Sequence, residues 1–383
     1  MTDTSFSKFE KKLMQKLLRI AERKKGISNP NPVTAAAIVK GEQILSIGSH
    51  NKFGTPHAEA IALKNAGPKA RGAALYVNLE PCTHFGNNPP CTDLIIEAGI
   101  TEVVYAVKDP NPLVSRQPAD KVLKKAGIKV RSGLQEDEAF LLNEVFFKNQ
   151  VLGLPFVTAK IAMSLDGKIA LQNGESKYLT AVTSRKVVHK LRRETDAMII
   201  GIGTILKDNP SLNVRYNLAK GYKNPVKIIL DSKAEIPITA TVFNENPDTD
   251  IIIATSKQNI ANPKFRKLKK NIRIWGLDLD NKGRIDWDKL LEKAFAFGIG
   301  SVLIEGGQKV YTSALENNII DKLDIFIAPK VLAGEKSLAP FAGQGISSLA
   351  KAYEIKDMKV KKISPDILVS GYLRHPNEWV PKK

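Results

Sequence analysis

Zinc-binding residue types, with a carboxylate beside one of them, mark the N-terminal part of this sequence. His57-Ala58-Glu59 is followed by Pro81-Cys82 and then by Cys91, and these two cysteines are the only ones in the chain. One imidazole and two thiolates make three protein ligands, the number a catalytic zinc takes when its fourth tetrahedral position is left to water. Zn²⁺ brings the pKa of such a water toward neutrality. Glu59, two residues beyond His57 at the start of a predicted helix, is placed to carry a proton without binding the metal itself. Such a set does hydrolytic chemistry, with the carboxylate placed to pass a proton from the water to a leaving amine. Zinc deaminases of nucleobases use H-x-E with a later P-C-x-x-C, whereas here eight residues separate the cysteines. Two other readings fit the same residues: a disulfide in a secreted chain, or a chance triplet beside two structural cysteines.

A second candidate lies in the C-terminal half. Glu305-Gly306-Gly307 follows the apolar run 301–304 and precedes a helical pattern. Bare backbone at a helix N-terminus lets N–H groups meet a phosphate, although a Gly-Gly pair also makes an ordinary tight turn. The G-x-G-x-x-G fingerprint of a Rossmann fold is absent. Arg192 and Arg215 carry the fork that suits a substrate phosphate, with a surface salt bridge as the plainer role for either.

These residues need elements to hold them. The chain has 383 residues, more than one compact core usually holds, so two domains are expected, 1–150 and 151–383. The break falls at Gly153-Leu154-Pro155. Before it, apolar positions Phe6, Phe9, Leu13, Leu17 and Ala21 predict an amphipathic helix over 5–24, stopped near Gly26 and packed on the domain core. Strands are predicted at 33–39 and 43–47 across a turn at Gly41, then at 73–79, 103–107 and 128–130. Helices are predicted at 57–65, 91–98, 119–126 and 136–149. After the break, strands are predicted at 156–163, 197–201, 226–230, 251–254, 301–304 and 323–328, with helices at 184–194, 287–297 and 310–316. Alternation of this kind makes each half an α/β sheet flanked by helices.

Composition narrows the partners. The formal net charge is +19, which attracts anions of any kind, from nucleic acid to phosphorylated metabolites and dinucleotides. Lysines are spread along the chain and aromatics are 7% of residues, so no basic patch with interleaved stacking rings is visible, and no nucleic acid partner is expected. No run approaches the roughly 18–20 apolar residues of a membrane span. The start, Met1-Thr2-Asp3-Thr4 and then lysines, lacks the pattern of a signal peptide, so a cytoplasmic protein with no membrane partner is expected.

Here the residues resemble a known family, the bifunctional riboflavin biosynthesis proteins. Asn29-Pro30-Asn31-Pro32, Gly48-x-His50-x3-Gly54-x2-His57-Ala58-Glu59, Leu79-Glu80-Pro81-Cys82-Thr83-His84-x-Gly86, Pro89-Pro90-Cys91 and Asp109-Pro110-Asn111-Pro112 are similar to its deaminase half. Lys160-Ile161-Ala162-Met163-Ser164-Leu165-Asp166-Gly167-Lys168, Gly174-Glu175-Ser176, His189-x-Leu191-Arg192, Gly201-x2-Thr204, Asp208-x-Pro210-x-Leu212-x2-Arg215, Ile229-Leu230-Asp231-Ser232 and Leu303-Ile304-Glu305-Gly306-Gly307 are similar to its reductase half. The resemblance implies a cytidine-deaminase-like N-terminal domain, a mixed sheet between helices, and a dihydrofolate-reductase-like C-terminal domain. It implies zinc on His57, Cys82 and Cys91, Glu59 as proton shuttle, and deaminase substrate contacts at Asn31, His50, His84, Asp109 and Asn111. It also implies an NADPH site at Ala162, Tyr178, Thr204, Asp208, Ser232 and Gly307. Reductase substrate contacts are implied at Ser176, Arg192, Leu212, Arg215 and Glu305.

The implied partners are a phosphorylated ribosylaminopyrimidine and NADPH, in a homo-oligomer, dimer or tetramer. Three single residues and one segment depart from the family: Ala35 stands where Gly is usual, Asn87 where a cation is usual, Arg116-Gln117-Pro118 where a Gly-basic-Gly pattern is usual, and Tyr178 where Trp is frequent. The Asn87 change removes a charge-assisted contact of about 1.5–3 kcal/mol. A reductase with an altered deaminase half, or a deaminase of a related base or of nucleic acid, is the alternative.

Overall fold

Apolar residues spaced three and four apart among lysines fold as helix α1 (Lys8–Glu22), which buries Leu13, Met14, Leu17 and Ala21. Its start is a capping box: the Ser7 hydroxyl accepts from the Glu10 N–H, and the Glu10 carboxylate accepts from the Ser7 N–H at 2.7 Å. Glu10 is buried in turn, accepting from the Tyr76 hydroxyl at 3.0 Å and from Arg131.

The structure is a computed structural model that describes residues 6–86, 88–176, 178–216, 218, 221–245 and 248–379. Two compact units divide the chain, Met1–Gly153 and Leu154–Lys383. Among the described residues, no helix is long and apolar enough to cross a membrane.

In the first unit α1 is followed by β1 (Ala35–Lys40), β2 (Gln43–Ser49), α2 (Ala58–Ala66), β3 (Ala74–Leu79), α3 (Cys91–Glu97), β4 (Glu102–Val107), α4 (Pro112–Ser115), α5 (Ala119–Lys125), β5 (Lys129–Ser132), α6 (Glu136–Leu142) and α7 (Glu144–Leu152). The sheet order is β2-β1-β3-β4-β5, antiparallel about β1 and parallel from β3 to β5. One face packs Ile38, Leu75, Val77 and Val103 against Ala58 and Ala62 of α2, Ile95 of α3 and Leu123 of α5, while α1 and α6 lie against the other. The single helix predicted over 136–149 is broken at Asn143. There the Asn143 amide accepts from the Val33 N–H at 2.8 Å and donates to the Val33 carbonyl at 3.2 Å. A buried amide satisfied by the chain entering β1 outweighs one more turn of helix.

The second unit runs β6 (Phe156–Ser164), α8 (Val182–Glu194), β7 (Ala197–Gly201), α9 (Ile202–Asp208), β8 (Val226–Leu230), α10 (Thr241–Asn244), β9 (Ile251–Ser256), β10 (Ile272–Leu277), α11 (Trp287–Ala296), β11 (Ser301–Ile304), α12 (Gln308–Glu316), β12 (Lys322–Ala328), β13 (Lys356–Ile363) and β14 (Asp366–Tyr372). Its sheet order is β10-β9-β8-β7-β11-β6-β12-β14-β13, parallel except for the last two pairings. The central strands β7, β9 and β11 are buried throughout, as expected of a parallel sheet covered on both faces. Ile199, Ile228 and Ile252 face Trp287 and Leu290 of α11 and Tyr311 of α12, while Met198, Ile229 and Ile253 face Val242 and Phe243 on the other side. The α/β architecture expected for each half is present. Strands β10, β13 and β14 and helices α9 and α10 here, like α4 in the first unit, were not expected. β13 has four lysines among eight exposed or half-exposed residues, so its sequence reads as solvated charge, and only pairing with β14 makes it a strand.

Candidate functional site

In the first unit three element ends converge. His57 is the N-cap of α2, Cys82 lies three residues past β3, and Cys91 opens α3. Gly48 of β2 lets α2 come this close: a Cβ there would stand 2.3 Å from the Ala58 carbonyl. His57 Nδ1 is 3.2 Å from Cys91 Sγ and 3.4 Å from Cys82 Sγ, and the three donor atoms lie within 4.8 Å of one another. Both cysteines are buried and unbridged, which removes the disulfide reading. The Cys91 N–H donates to Cys82 Sγ at 3.3 Å.

The protons of this cluster are shared. A hydrogen bond from Cys91 and the nearby imidazole pull Cys82 down to about 4. Donating to that thiolate, together with burial, pushes Cys91 up. The hydrogen bond with Cys82 outweighs burial and pushes His57 up to about 9. An imidazole and two buried, unbridged sulfurs at these distances fit zinc and leave one tetrahedral position for water. Glu59, in the first turn of α2, is 5% exposed and burial pushes its carboxyl up.

Around this cluster, His50 is 2% exposed, with Nδ1 3.1 Å from the Pro56 carbonyl and Nε2 3.1 Å from the Asn31 amide. An Nδ1–H donor and an Nε2 acceptor satisfy both contacts. Its ring meets that of His57 edge to face at 5.8 Å. His84 is half-buried, and its Nδ1 has no hydrogen-bond partner among the described residues. Asp109 accepts from the Asn111 N–H at 2.8 Å and Asn111 caps α4 through the Leu113 N–H at 3.0 Å, so both residues build their own turn. Burial pushes Asp109 up to about 7, with the acidic groups Glu80, Cys82 and Glu59 adding to the effect. Glu80, given no role from sequence, ties the two loops together: its carboxylate accepts from the Asp109 N–H at 3.2 Å and the Ala119 N–H at 2.8 Å. An acid directly before Pro-Cys was the available signal. Arg116 is exposed at the end of α4, and Asn87 lies outside the described residues.

In the second unit a cleft of about 700 Å³ opens at the C-terminal ends of β6, β7, β8 and β11, where open α/β sheets bind ligands. Ala162, Tyr178, Thr204, Asp208, Ser232 and Gly307 line it, as do Ser176, Arg192 and Glu305. Leu212 and Arg215 do not. Leu212 packs into the core with Met198 and Ile229, and Arg215 is exposed with its guanidinium on the Ser211 hydroxyl at 2.6 Å. A Cβ at Gly306 would be 2.6 Å from Val310 Cβ, so the bare residue lets the N-terminus of α12 face the cleft.

The floor of the cleft is a buried ion cluster. Glu305 accepts from Arg192 Nε at 2.6 Å and Nη2 at 3.0 Å, and from Lys160 Nζ at 2.9 Å. Burial opposes its ionisation, but the two cations hold its carboxyl far below the carboxylate range. Arg192 Nη1 donates to the Asn213 carbonyl at 3.1 Å. The fork read from sequence as a phosphate ligand is therefore closed on Glu305, because a buried carboxylate needs it. Lys160 and His189, both in the cleft wall, stand in the quoted motifs but carry no role from sequence.

His189 is 7% exposed. Burial, then the neighbouring cations Arg192, Arg215 and Lys160, push it down to about 4 against the opposing charge of Glu305. Its folded pKa lies below its unfolded value near 6.5, so between those values the unfolded chain takes a proton that the folded chain refuses. Stability from this group, on the order of 2 kcal/mol, is therefore present above pH 6.5 and lost as pH falls toward 4. His189→Asn is expected to flatten the pH dependence of the unfolding midpoint across that window. An unchanged slope would refute the assignment.

Comparison with known proteins covers both units. Residues 7–107 match the family described as cytidine and deoxycytidylate deaminase zinc-binding region, and residues 155–369 match the RibD C-terminal domain. The riboflavin biosynthesis protein RibD of Aquifex aeolicus is 41% identical over 361 residues, 94% of this chain and 97% of that protein. The Escherichia coli protein of the same name is 33% identical, covering 92% and 96%. Among solved structures, Acinetobacter baumannii RibD superposes with a TM-score of 0.83 at 34% identity, covering 95% of this chain and 99% of that one. The Thermotoga maritima diaminohydroxyphosphoribosylaminopyrimidine deaminase/5-amino-6-(5-phosphoribosylamino)uracil reductase gives 0.81 at 34% identity, covering 95% and 98%.

Proposed function

Because the chain belongs to the RibD family of bifunctional riboflavin biosynthesis proteins, and is a deaminase and a reductase, we propose that its two units act on successive forms of one metabolite. The first deaminates 2,5-diamino-6-(5-phosphoribosylamino)pyrimidin-4(3H)-one. The second uses NADPH to reduce the ribosyl group of 5-amino-6-(5-phosphoribosylamino)uracil to ribityl. The observation that carries the first step is the convergence of His57, Cys82 and Cys91 beside the buried Glu59.

His57, Cys82 and Cys91 would hold the zinc. When bound, zinc supplies a Lewis acid that brings the pKa of water toward neutrality. Glu59 takes the proton of the attacking water and returns it to the ring amine, which leaves as ammonia. Burial, which raises its pKa, suits a group that must both accept and release a proton near neutral pH. His50, neutral and fixed by Pro56 and Asn31, lines the approach to the ring with His84, Asp109 and Asn111.

In the second unit, the cofactor supplies the hydride. The Gly306-Gly307 backbone at the start of α12 offers N–H groups to its phosphates, with Ala162, Tyr178, Thr204, Asp208 and Ser232 along the cleft. Ser176 and Glu305, the latter held by Arg192, serve the substrate side from the cleft; Arg215 serves it from the adjoining 209–216 turn, and Leu212, packed in the core, anchors that turn. Lys160 and Arg192 keep Glu305 ionised, so this carboxylate accepts hydrogen bonds and donates none. A nucleic-acid deaminase has no use for a reductase unit, which weighs against that alternative.

Metal analysis tests the reading. About one zinc per chain is expected, with Cys91→Ser retaining at most about a tenth of it, since a thiolate ligand is lost. An active deaminase without zinc, or full zinc in the Cys91→Ser variant, contradicts it.

A further inference from the structure

The segment 209–216 after α9 carries three non-glycine residues in left-handed conformation: Asn209 at φ 41°, Leu212 at φ 58° and Tyr216 at φ 61°. Such backbone persists only where neighbours over-determine it. Two side chains of α8, three residues apart on one helix face, supply part of that hold. Arg192 Nη1 donates to the Asn213 carbonyl at 3.1 Å, and His189 Nδ1 accepts the Arg215 N–H at 2.9 Å. The Tyr216 ring stands edge to face on His189 at 5.0 Å. His189 is buried and lines the reductase cleft, so one imidazole touches the cleft on one side and the backbone of the strained turn on the other. Because Nδ1 accepts, the neutral ring carries its proton on Nε2.

We propose that His189 is a positioning residue of the reductase, whose Nδ1 holds the Arg215 backbone and thereby sets the 211–216 turn relative to the cleft. Its consequence for the reaction rests on the reading of Arg215 as a substrate contact. The role is distinct from donation to a ligand, which would use Nε2.

Two near-isosteric variants separate these roles. The carboxamide oxygen introduced by His189→Asn stands near the place of Nδ1 and keeps an acceptor, whereas His189→Gln puts its amide near the place of Nε2. Amide exchange of the 213–216 segment and steady-state kinetics with 5-amino-6-(5-phosphoribosylamino)uracil and NADPH are measured on the full chain. The expected result is that His189→Gln loses about tenfold in protection and raises the KM for the uracil substrate about tenfold, the effect of one lost hydrogen bond. His189→Asn stays within about threefold on both, and kcat moves less than KM in each. Undiminished protection in His189→Gln, or loss in both variants alike, overturns the proposal. Arg215→Met is the control for the underlying reading. If exchange follows the expected pattern but no KM moves and Arg215→Met is also silent, the substrate role of Arg215 fails while the hold on the turn stands. If Arg215→Met raises KM and His189→Gln does not, the positioning role fails.

Discussion

Glu59→Gln is expected to slow ammonia release by about 10²–10⁴-fold, the range of a general acid–base group, while zinc content and NADPH oxidation stay unchanged. Glu59 sits in the first turn of α2, two residues from His57, with 5% of its surface exposed. The metal cluster is completed by His57, Cys82 and Cys91 without it. Glutamine keeps the volume and the hydrogen-bonding length and removes only the ability to carry a proton. Ammonia assay, metal analysis and reduction of supplied deaminated intermediate are read side by side. Loss of zinc in the variant would mean that Glu59 holds the site together rather than moving a proton through it.

Glu305→Ala is expected to destabilise the second unit by about 3–5 kcal/mol and to abolish reduction. Removing one partner of a buried ionic cluster leaves the others uncompensated. Here the abandoned groups are Arg192 and Lys160, whose side chains are 15% and 14% exposed. Glu305→Gln keeps the shape and part of the hydrogen bonding and is expected to cost less. Removing Arg192 together with Glu305 is expected to cost less than the two single losses added, because contacting charges couple. Thermal unfolding of the single and double variants gives that coupling. Simple additivity would show that the three charges are not one cluster. Deamination serves as the internal control and is expected to persist in the Glu305 variants.

The metal cluster was legible in the sequence because its residue types carry the meaning: two cysteines in the whole chain, each next to a helix or strand boundary, and a His-x-Glu triplet opening a helix. β7 and the 251–254 part of β9 were legible from their apolar runs, while the buried Thr255 and Ser256 extend β9 beyond the run. What escaped is what depends on distant pairing. Glu305 meets Arg192 across 113 positions, and nothing local says that the arginine closes on an acid rather than on phosphate. β13 looks like solvated charge until β14 pairs with it. The break at Asn143 comes from a partner 110 residues earlier, Val33. His189 stood in a motif, but its hold on Arg215 needs the fold of the 209–216 turn; Asn209 takes the left-handed region readily, whereas Leu212 and Tyr216 give no sequence signal for it.

One comparison separates the two sites most directly. Ammonia release from the phosphorylated diaminopyrimidinone and NADPH oxidation with supplied 5-amino-6-(5-phosphoribosylamino)uracil are followed in the same preparation before and after zinc is stripped by a chelator. Ammonia release is expected to fall to background and to return on adding zinc, while NADPH oxidation continues at its original rate. Parallel loss of both, or ammonia release that survives without metal, would contradict the two-site account.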